Sequence, residues 1–479
     1  MTRRNLLFSL MLTLLSAGGA RAQSEEPLAA VIERALARAR EQAQIMVRAL
    51  EPLEGRLPRT TDEAGRLVTS DPGWWCSGFF PGVLWYLYED SGDERFAAYA
   101  AGMTRRLEKV QYITDNHDVG FMLFCSYGNG WRLQGFPEEY RQVLLTGAAS
   151  LATRYDPRIG LIRSWDFNRD RWHYPVIIDN MMNLELLLWA SRMSGERRYR
   201  RMAVSHADKT LKNHFRDDAS CYHVVSYDAD GRVEKRETWQ GLHDESAWSR
   251  GQGWALYGFT YMYRETGHRR YLRQAVRVAD YLLGHPAMPS DGIPPWDLDV
   301  ADPQTALRDA SAAAVIASAL IELSGYVDAA RGARYLSFAE RQLRTLSSER
   351  YLAAPGTHAG FILKHSVPAF GGGQAADLRR LLLRRGPAAH EEAALSLMLP
   401  YFDRKRPFFD KNGRFQVVSE RFTPGSACRM FRSASQRRSL HESQSLISSG
   451  MRKTVKRLVV SSGSSASNPN MKTPGLSES

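Results

Sequence analysis

Two aspartates at predicted helix starts are the first candidates for chemistry in this sequence. Asp118 follows His117 in the segment NHDVGFM, and Asp179 lies between an apolar run and a helix in IIDNMMNLELLLWAS. An aspartate at such a position commonly caps the helix N-terminus, because its carboxylate accepts hydrogen bonds from free backbone N–H groups. Taken alone, therefore, neither aspartate indicates an enzyme.

A denser group of polar and aromatic residues begins at residue 239. Its members, which precede or open a predicted helix, are Trp239, Gln240, His243, Asp244, Glu245, Trp248, Arg250, Gln252 and Trp254. Aromatic rings stack on the apolar faces of sugars, and planar polar groups hydrogen-bond to their hydroxyls. A helix start with buried tryptophans explains the rings but not so many polar neighbours, so this segment favours a sugar-binding site.

A fourth polar group comes before the last predicted hairpin. It contains Trp296, Asp297, Arg308 and Asp309, in the segments PPWDLD and RDASAAA. We expect Arg308 and Asp309 to form a structural ion pair with each other.

These residues must be positioned by helices, and the sequence repeats one helical unit. In each copy an apolar helix ends at a Ser/Thr-Gly pair, and an aromatic residue soon afterwards opens a second, amphipathic helix. The pairs are Ser91-Gly92, Ser194-Gly195, Thr266-Gly267 and Ser324-Gly325, and the aromatic residues are Phe96, Tyr199, Tyr271 and Tyr335. Glycine tolerates the left-handed conformation that ends many helices. The pattern therefore predicts repeated helical hairpins.

The repeats predict eleven helices and few strands. The helices are expected near residues 29–49, 79–90, 94–111, 119–127, 138–154, 180–193, 197–214, 247–265, 269–284, 309–323 and 330–346. In the helix at 269–284 the expected apolar face is Leu272, Ala275, Val276, Ala279, Leu282 and Leu283. Strand-like alternation is confined to short pieces such as residues 222–227. A toroid of six hairpins needs twelve helices, so the count is one short.

The C-terminal sequence does not supply the missing helix. Residues 378–387 read LRRLLLRRGP, without a consistent apolar face, and the chain beyond them is rich in Arg and Ser. One interpretation is a disordered basic tail over residues 368–479. The other is a shifted reading frame, because one synonymous codon choice for these ten residues gives the helix-forming YADYYFVEA in another frame. Both interpretations predict that the final closing helix is disrupted.

Composition and charge describe a globular chain that can bury a large core. Of its 479 residues, 43% are hydrophobic and 24% are charged. The formal net charge is +12, but residues 367–479 alone contribute +11, so the body is nearly neutral and no nucleic-acid partner is indicated. Cys76, Cys125, Cys221 and Cys428 are far apart and lack metal-ligand spacing, so we expect free thiols and no metal site.

The first 22 residues have the pattern of a secretory signal peptide. Arg3 and Arg4 precede an apolar run over residues 6–15, and Ala20-Arg21-Ala22 has the small-x-small form of a cleavage site. The apolar run is shorter than the roughly 20 residues of a membrane anchor. We therefore expect a periplasmic or secreted bacterial protein, no membrane partner after cleavage, and a catalytic domain over residues 23–367.

Eight motifs resemble those of the unsaturated glucuronyl hydrolases, the enzymes of glycoside hydrolase family 88. In order, from about residue 73 to residue 367, they are SGFFPGVLWYLYEDSGD, NHDVGF, IIDNMMNLELLLWAS, YHVVSYD, QGLHDESAWSRGQGWALYGF, IPPWDLD, RDASAAAVIASALIELS and FILKHSV. The resemblance implies an all-α (α/α)6 barrel without metal or organic cofactor. It also implies a closing helix similar to YADYYF-EAL, which favours the shifted reading frame.

The resemblance further implies hydration of a vinyl ether. The family acts on lyase-generated oligosaccharides that carry a 4,5-unsaturated uronic acid at the non-reducing end. Asp179 would be the general acid and base, protonating C4 and activating the water that attacks C5, and Asp118 would be the second essential carboxylate. Two such carboxylates titrate as a coupled pair, and apolar neighbours can raise the pKa of Asp179 towards the working pH.

Further positions match residues that line the family's sugar subsite. These substrate-binding candidates are Trp75, His117, Trp165, His223, Gln240, Trp248, Arg250 and Trp254. An arginine there can hold a uronate carboxylate through two charge-assisted hydrogen bonds. Lys364 and Ser366 lie where the family approaches the leaving sugar. Two alternatives stay open, namely an unsaturated rhamnogalacturonyl hydrolase and an inactive sugar-binding or misfolded product caused by the altered C-terminus.

Overall fold

The computed structural model describes residues 26–367, and these residues form an almost entirely helical domain. The helices are α1 (Leu28–Leu50), α2 (Phe79–Ser91), α3 (Glu94–Arg105), α4 (residues 119–133), α5 (Glu138–Ala152), α6 (Leu184–Ser194), α7 (Arg197–Asn213), α8 (Ser249–Thr266), α9 (Arg269–Gly284), α10 (Ala310–Ser324) and α11 (Ala329–Leu346). Each overlaps one of the eleven predicted helices. The predicted signal peptide and C-terminal tail, and any twelfth helix, lie outside the described residues.

Short strands connect the helices. The strands are β1 (Leu57–Thr61), β2 (Leu67–Ser70), β3 (Tyr155–Asp156), β4 (Leu161–Ile162), β5 (Pro175–Ile177), β6 (Val224–Tyr227) and β7 (Val233–Glu237). They form two antiparallel hairpins, β1-β2 and β3-β4, and one antiparallel sheet in the order β5-β6-β7. Strand β6 lies within the segment where strand-like alternation was predicted.

Consecutive helices pack as hairpins around an inner ring. The hairpins are α2-α3, α4-α5, α6-α7, α8-α9 and α10-α11, and α1 contacts both α11 and α2. Helices α8 and α10 also contact each other, and nearly every residue of α10 is buried, as expected for an inner helix. Helix α9, in contrast, buries one face only, as expected for an outer helix. This arrangement confirms the predicted all-α (α/α)6 architecture.

Helix α4 is longer than its predicted span and is not uniform. An α-helical turn, Val119–Leu123, continues through a π-helical turn, Phe124–Gly128, into a second α-helical piece, Asn129–Leu133. The Ser126 hydroxyl donates to the carbonyl of Met122, so a side chain competes for the helix's own acceptors in this irregular turn. The predicted span ended at residue 127, whereas the helix continues beyond the π-helical turn into Asn129–Leu133.

The glycines of the repeated unit are confirmed in three of four copies. Gly92, Gly195 and Gly267 have φ values of 67°, 77° and 70° and end their helices in the left-handed conformation. Gly325 does not, since its φ is −75° and its N–H donates to Glu322 in a further right-handed turn. The prediction of a left-handed residue at Gly325 was therefore wrong.

The predicted apolar face of α9 was displaced around the helix. Ala275, Ala279 and Leu282 are buried as expected, but Tyr271 and Val278 share the centre of the buried face with them. The other three expected residues, Leu272, Val276 and Leu283, are only partly buried. Tyr271 lies in the core while its hydroxyl donates to Asp208. The pattern had predicted Leu272, and not Tyr271, on the buried face.

Three of the four cysteines lie within the described residues. Cys76, Cys125 and Cys221 are free thiols, as predicted, whereas Cys428 lies outside the described residues. Between residues 26 and 367, none of the helices has both the length and the apolar character needed to cross a bilayer.

Candidate active site

The β5-β6-β7 sheet brings Asp179 and His223 together. Ile177 at the end of β5 pairs with Val224 at the start of β6, and the N–H of Ile178 donates to the carbonyl of His223 at 3.0 Å. Asp179 follows in a 3₁₀ turn, Ile178–Asn183, that leads into α6. As a result, Asp179 Oδ2 lies 3.7 Å from His223 Nε2.

A second segment places Asp118 next to this turn. Asp118 begins α4, and its Oδ1 lies 3.5 Å from the Nε2 of the adjacent His117. The N–H of His117 donates to the carbonyl of Ser164 at 3.0 Å, while the hydroxyl oxygen of Ser164 accepts from the N–H of Ile177 at 2.9 Å. Ser164 therefore contacts both aspartate-bearing segments, and the structure brings the predicted pair to the same end of the barrel.

The carboxyl group of Asp118 is tuned to exchange a proton near neutral pH. Burial raises its pKa to about 7, against the opposing effects of the Asn183 side chain and of Arg154. The carboxyl group of Asp118 accepts no capping hydrogen bond from α4 within the described chain. The capping interpretation therefore fails for Asp118, whereas Asp309 does cap α10, accepting from the N–H groups of Ser311 and Ala312.

The two histidines of the site are neutral. Burial lowers the pKa of His117 to about 3, with a further contribution from Arg154. Burial also lowers the pKa of His223 to about 3, with contributions from Arg250 and His117. At working pH both rings therefore act as uncharged hydrogen-bonding groups beside the carboxylates.

Aromatic side chains surround the His223 side of the site. Trp165 meets His223 edge-on at 6.4 Å between ring centroids and stacks on Phe167 at 4.6 Å with an interplanar angle of 22°. Phe167 also contacts Trp239 at 5.6 Å, although 45% of its surface is exposed. An exposed ring held by two tryptophans offers an apolar surface on which a sugar can stack.

A second aromatic group adjoins Asp118. Phe121, one turn along α4, contacts Trp75 at 6.2 Å and Trp254 at 5.2 Å between ring centroids. Trp75 is partly exposed, but Trp254 is 1% exposed and belongs to the core. Trp75 therefore fits the predicted aromatic wall, whereas Trp254 acts as a support for Phe121.

The segment around Gln240 and Arg250 is built largely from hydrogen bonds within the protein. The N–H of Gln240 donates to His223 Nδ1 at 3.1 Å, and the ring of Trp248 lies 4.8 Å from that of His223. Arg250 lies over Trp248 and is 1% exposed, with Nη1 donating to Asp309 Oδ2 at 3.0 Å. Binding of a uronate carboxylate by Arg250 stays a prediction, and its guanidinium is oriented by Asp309.

The expected pairing of Arg308 with Asp309 was wrong. Arg308 donates instead to the carbonyl of Ile293 at 2.8 Å, and its closest carboxylate contact is Asp291 at 3.9 Å. Neighbours in sequence at the start of a helix point in different directions, so adjacency alone did not predict a contact. Lys364, for its part, donates to the carbonyl of Glu349 at 2.7 Å.

Sequence reasoning missed several residues that build the site. Asn183 and Ser164 are fully buried and join the two aspartate-bearing segments. Arg154 donates to the carbonyl of Thr114 and to Asp166, which connects the loop before His117 with the loop that carries Trp165. A usable signal for Asn183 was its place as one of two polar residues, with Glu185, in the mostly apolar run MMNLELLL.

Within residues 26–367, no cluster of three or more histidine, cysteine or acidic side chains has the geometry to hold a metal ion. The absence of a cofactor stays a prediction.

Comparisons with known proteins indicate one family. A family model described as Glycosyl Hydrolase Family 88 matches residues 54–359. An unsaturated glucuronyl hydrolase of Formosa agariphila is 43% identical over 312 residues, which cover 65% of this chain and 77% of that protein. One from Bacillus sp. strain GL1 is 33% identical over 336 residues, covering 68% of this chain and 88% of that protein.

Solved structures give the same result. The crystal structure of an unsaturated glucuronyl hydrolase specific for heparin is 44% identical and superposes with a TM-score of 0.70, covering 77% of this chain and 95% of the other. The crystal structure of the Bacillus sp. GL1 enzyme superposes with a TM-score of 0.69 at 27% identity, covering 78% and 100%. The chain therefore belongs to glycoside hydrolase family 88, which confirms the predicted family.

Proposed function

We propose that this chain is an unsaturated glucuronyl hydrolase that removes 4,5-unsaturated uronic acid from the non-reducing end of lyase-generated oligosaccharides. The observation that carries the proposal is the meeting of Asp118 and Asp179 at one end of the barrel, each facing the Nε2 of a buried neutral histidine. A general acid must hold a proton near the working pH, and burial raises the pKa of Asp118, the second carboxylate of the site, to about 7.

The proposed reaction begins with protonation of the double bond. Asp179 gives a proton to C4, and the positive charge that develops at C5 and the ring oxygen is captured by water. The water's proton returns to Asp179 as the C5–O bond forms, so the carboxyl group is regenerated. The resulting hemiketal opens, and loss of the leaving sugar from C1 follows. Asp118 assists from the opposite side of the ring.

The sugar is oriented by the remaining polar and aromatic residues. In this proposal His117 and His223 present Nε2 to Asp118 and Asp179, Trp165 and Trp75 provide apolar walls, and Gln240 contributes its amide. Arg250 stabilises the uronate carboxylate electrostatically from its buried position over Trp248.

Asp179→Asn tests the assignment most directly. The amide keeps the shape of the side chain but cannot deliver or accept the proton, so we expect at least a 10³-fold loss of kcat. The measurement is the decrease of ultraviolet absorbance of the conjugated double bond, together with the unfolding temperature, which should change little. Asp208→Asn, which removes a surface carboxylate paired with Arg270, is the matched control and should retain activity. Retained activity in Asp179→Asn would contradict the assignment.

The substrate class is inferred from the relatives. The heparin-specific structure and the Streptococcus pyogenes relative, an unsaturated chondroitin disaccharide hydrolase at 34% identity, support glycosaminoglycan fragments over pectin fragments. Assaying unsaturated disaccharides from heparin, chondroitin, hyaluronan, alginate, gellan and pectin side by side tests this inference. Highest kcat/KM on a rhamnogalacturonan fragment would instead favour the rhamnogalacturonyl hydrolase alternative.

A separate experiment tests the alternative that the altered C-terminus makes the protein an inactive sugar-binding or misfolded product. The chain with its present C-terminal sequence is compared with a chain in which the reading frame is restored after about residue 377. If the altered residues prevent closure of the barrel, only the restored chain should show cooperative unfolding and turnover. Equal activity of the two chains would reject that alternative.

We also propose export from a bacterial cytoplasm, on the basis of the n-region, apolar run and cleavage motif within residues 1–22. The test is the N-terminal sequence of the protein recovered from the periplasm or medium. We expect it to begin at Gln23, and recovery of the uncleaved chain from the cytoplasm would contradict the proposal.

A further inference from the structure

A buried asparagine, Asn183, connects the two halves of the candidate active site. It ends the 3₁₀ turn that carries Asp179, and its side chain reaches the start of α4, where Asp118 lies. We infer that Asn183 is a positioning residue that fixes the tautomer of His117, so that His117 presents an Nε2–H donor to Asp118. The inference deepens the proposed function, because it rests on the proposed role of Asp118.

The orientation of the Asn183 amide follows from a backbone contact. Its Oδ1 accepts from the N–H of Phe121 at 2.7 Å, and this donor can be matched only by the oxygen of the amide. The NH₂ group must then occupy the other position, where Nδ2 lies 3.3 Å from His117 Nδ1. Because His117 Nδ1 faces an N–H donor, it accepts the hydrogen bond through its lone pair and carries no proton.

The tautomer of His117 is therefore determined. With Nδ1 unprotonated, the single proton of the neutral ring resides on Nε2, which lies 3.5 Å from Asp118 Oδ1. Burial lowers the pKa of His117 to about 3, so the ring is neutral at working pH and carries a proton on only one of its two nitrogens.

His223 shows the same arrangement on the other carboxylate. Its Nδ1 accepts from the backbone N–H groups of Trp239 and Gln240 at 3.0 and 3.1 Å, which leaves the proton on Nε2, 3.7 Å from Asp179 Oδ2. Both catalytic carboxylates thus face a neutral Nε2–H donor. Main-chain donors fix His223, whereas the hydrogen-bond partners of His117 are the side chains of Asn183 and Asn180, so only the His117 arrangement can be tested by substitution.

The start of α4 packs closely against Asn183 at Gly120. A Cβ added at Gly120 would lie 2.6 Å from Asn183 Cα and 2.7 Å from its Oδ1. The start of α4 is therefore seated directly on Asn183, and its amide also favours the ionised form of Asp118, opposing the rise in pKa caused by burial.

The first experiment reads the tautomer in the unaltered protein. The full chain is labelled with ¹⁵N-histidine, and the His117 signals are assigned by their loss in His117→Gln. In long-range ¹H–¹⁵N correlation spectra we expect Nδ1 of His117 to have the shift of an unprotonated nitrogen and Nε2 that of a protonated one. A protonated Nδ1 would overturn the inference without any variant, and it would leave the proposed reaction untouched.

The second experiment changes the partner of Nδ1. In Asn183→Asp the carboxylate can still accept from Phe121 but accepts from His117 Nδ1 instead of donating to it, so the Nδ1 signal should become that of a protonated nitrogen. We expect kcat to fall at least tenfold while KM changes less than about threefold, because the altered group faces His117 and the assisting carboxylate Asp118 rather than the bulk of the sugar.

The matched control is Gln342→Glu on α11, which is far from Asn183 in sequence. Gln342 is another fully buried amide, and its Nε2 donates to the carbonyl of Gly292. This variant should lose stability but keep the His117 signals and the kcat of the folded protein. A changed tautomer with unchanged kcat in Asn183→Asp would overturn the positioning role. Loss of activity in Asp179→Asn together with an unprotonated Nδ1 supports both proposals, whereas retained activity there rejects the reaction and not the tautomer.

Discussion

Two partly buried clusters of carboxylates in this domain are compensated in different ways. In the cluster around Arg264, Nη1 donates to Glu322 Oε2 at 2.6 Å and Nη2 donates to Glu185 Oε1 at 2.9 Å. In the candidate active site, Asp118 and Asp179 face neutral imidazoles at 3.5 and 3.7 Å. The first cluster ties the ends of inner helices together, and the second lies at the mouths of such helices.

The difference teaches how the same residue type serves structure in one place and chemistry in another. Burial raises the pKa of Glu185, but Arg264 opposes this effect through a direct ion pair. Burial raises the pKa of Asp118 to about 7, where it exchanges a proton readily at neutral pH. A hydrogen-bonded cation holds a carboxylate in its charged form, whereas a neutral donor leaves both protonation states accessible.

The largest expected effect on stability comes from removing the cation of the structural cluster. Arg264→Met leaves Glu185 and Glu322 buried without their guanidinium, so we expect the free energy of unfolding to fall by about 3–5 kcal/mol. Denaturant unfolding measures this loss. The triple variant with Glu185→Gln and Glu322→Gln should recover part of it, and the activity of folded molecules should be unchanged. A loss below about 1 kcal/mol for the single variant would contradict this account of the cluster.

Removal of the Asp118 carboxylate, unlike removal of the Arg264 cation, should increase the stability of the protein, by an amount that depends on pH. The pKa of Asp118 is about 7 in the folded chain and about 3.9 in an unfolded one. The proton is therefore bound more tightly in the folded state, and the stability that it contributes is present below pH 4 and lost as the pH rises through 7. Asp118→Asn should consequently be more stable than the unaltered protein at pH 8, by roughly 2–4 kcal/mol relative to the difference at pH 4.

Unfolding in denaturant at pH 4, 6 and 8 measures this difference for both proteins, and the variant should have almost no turnover. A constant difference across the three pH values would show that Asp118 titrates alike in both states.

A smaller effect is expected where the two aspartate-bearing segments touch. Gly120→Ala places a Cβ 2.6 Å from Asn183 Cα, so the backbone must shift, at a cost of about 1–3 kcal/mol, and kcat should fall with it. Gly102→Ala on α3 is the matched control, because nothing lies within 4 Å of its added Cβ. That control should gain about 0.5–1 kcal/mol from helix propensity. Equal changes in stability and kcat for the two variants would show that the contact between Gly120 and Asn183 accommodates an added Cβ.

The helices of both clusters could be predicted from sequence for a simple physical reason. Inner and outer helices carry apolar residues at helical spacing, and glycines such as Gly195 mark left-handed ends. Gly325 broke the rule because its chain makes a further right-handed turn, a choice that depends on local hydrogen bonds and not on residue type.

The site was predictable only in part. Resemblance indicated Asp118, Asp179 and His223, but no local pattern showed that Asn183 would reach α4 across 62 positions of sequence. Such contacts depend on how β5 delivers the 3₁₀ turn to the start of α4, and that depends on packing in three dimensions. The partner of Asp309 was missed for the same reason, since Arg250 lies 59 positions away.

The smallest expected effect concerns the exposed ring at the site. Phe167 stacks on Trp165, and its loop is held by Arg154 and Arg163, which contact Asp166 at 3.0 and 3.2 Å. Phe167→Ala should therefore leave stability within about 0.5 kcal/mol. If the ring stacks on the leaving sugar, KM should rise by up to about tenfold with kcat unchanged.

Phe167→Trp keeps a flat apolar face and serves as the control for Phe167→Ala. Steady-state kinetics on an unsaturated disaccharide and on a longer oligosaccharide should show the larger rise in KM for the longer one, because its extra sugar has more surface to stack. Tyr112 is also exposed, at 67%, but lies on a turn after α3 in which neither Asp118 nor Asp179 takes part. Tyr112→Ala should leave KM unchanged, and an equal rise in both alanine variants would show that exposure alone, and not the position of Phe167 beside Trp165, accounts for the effect.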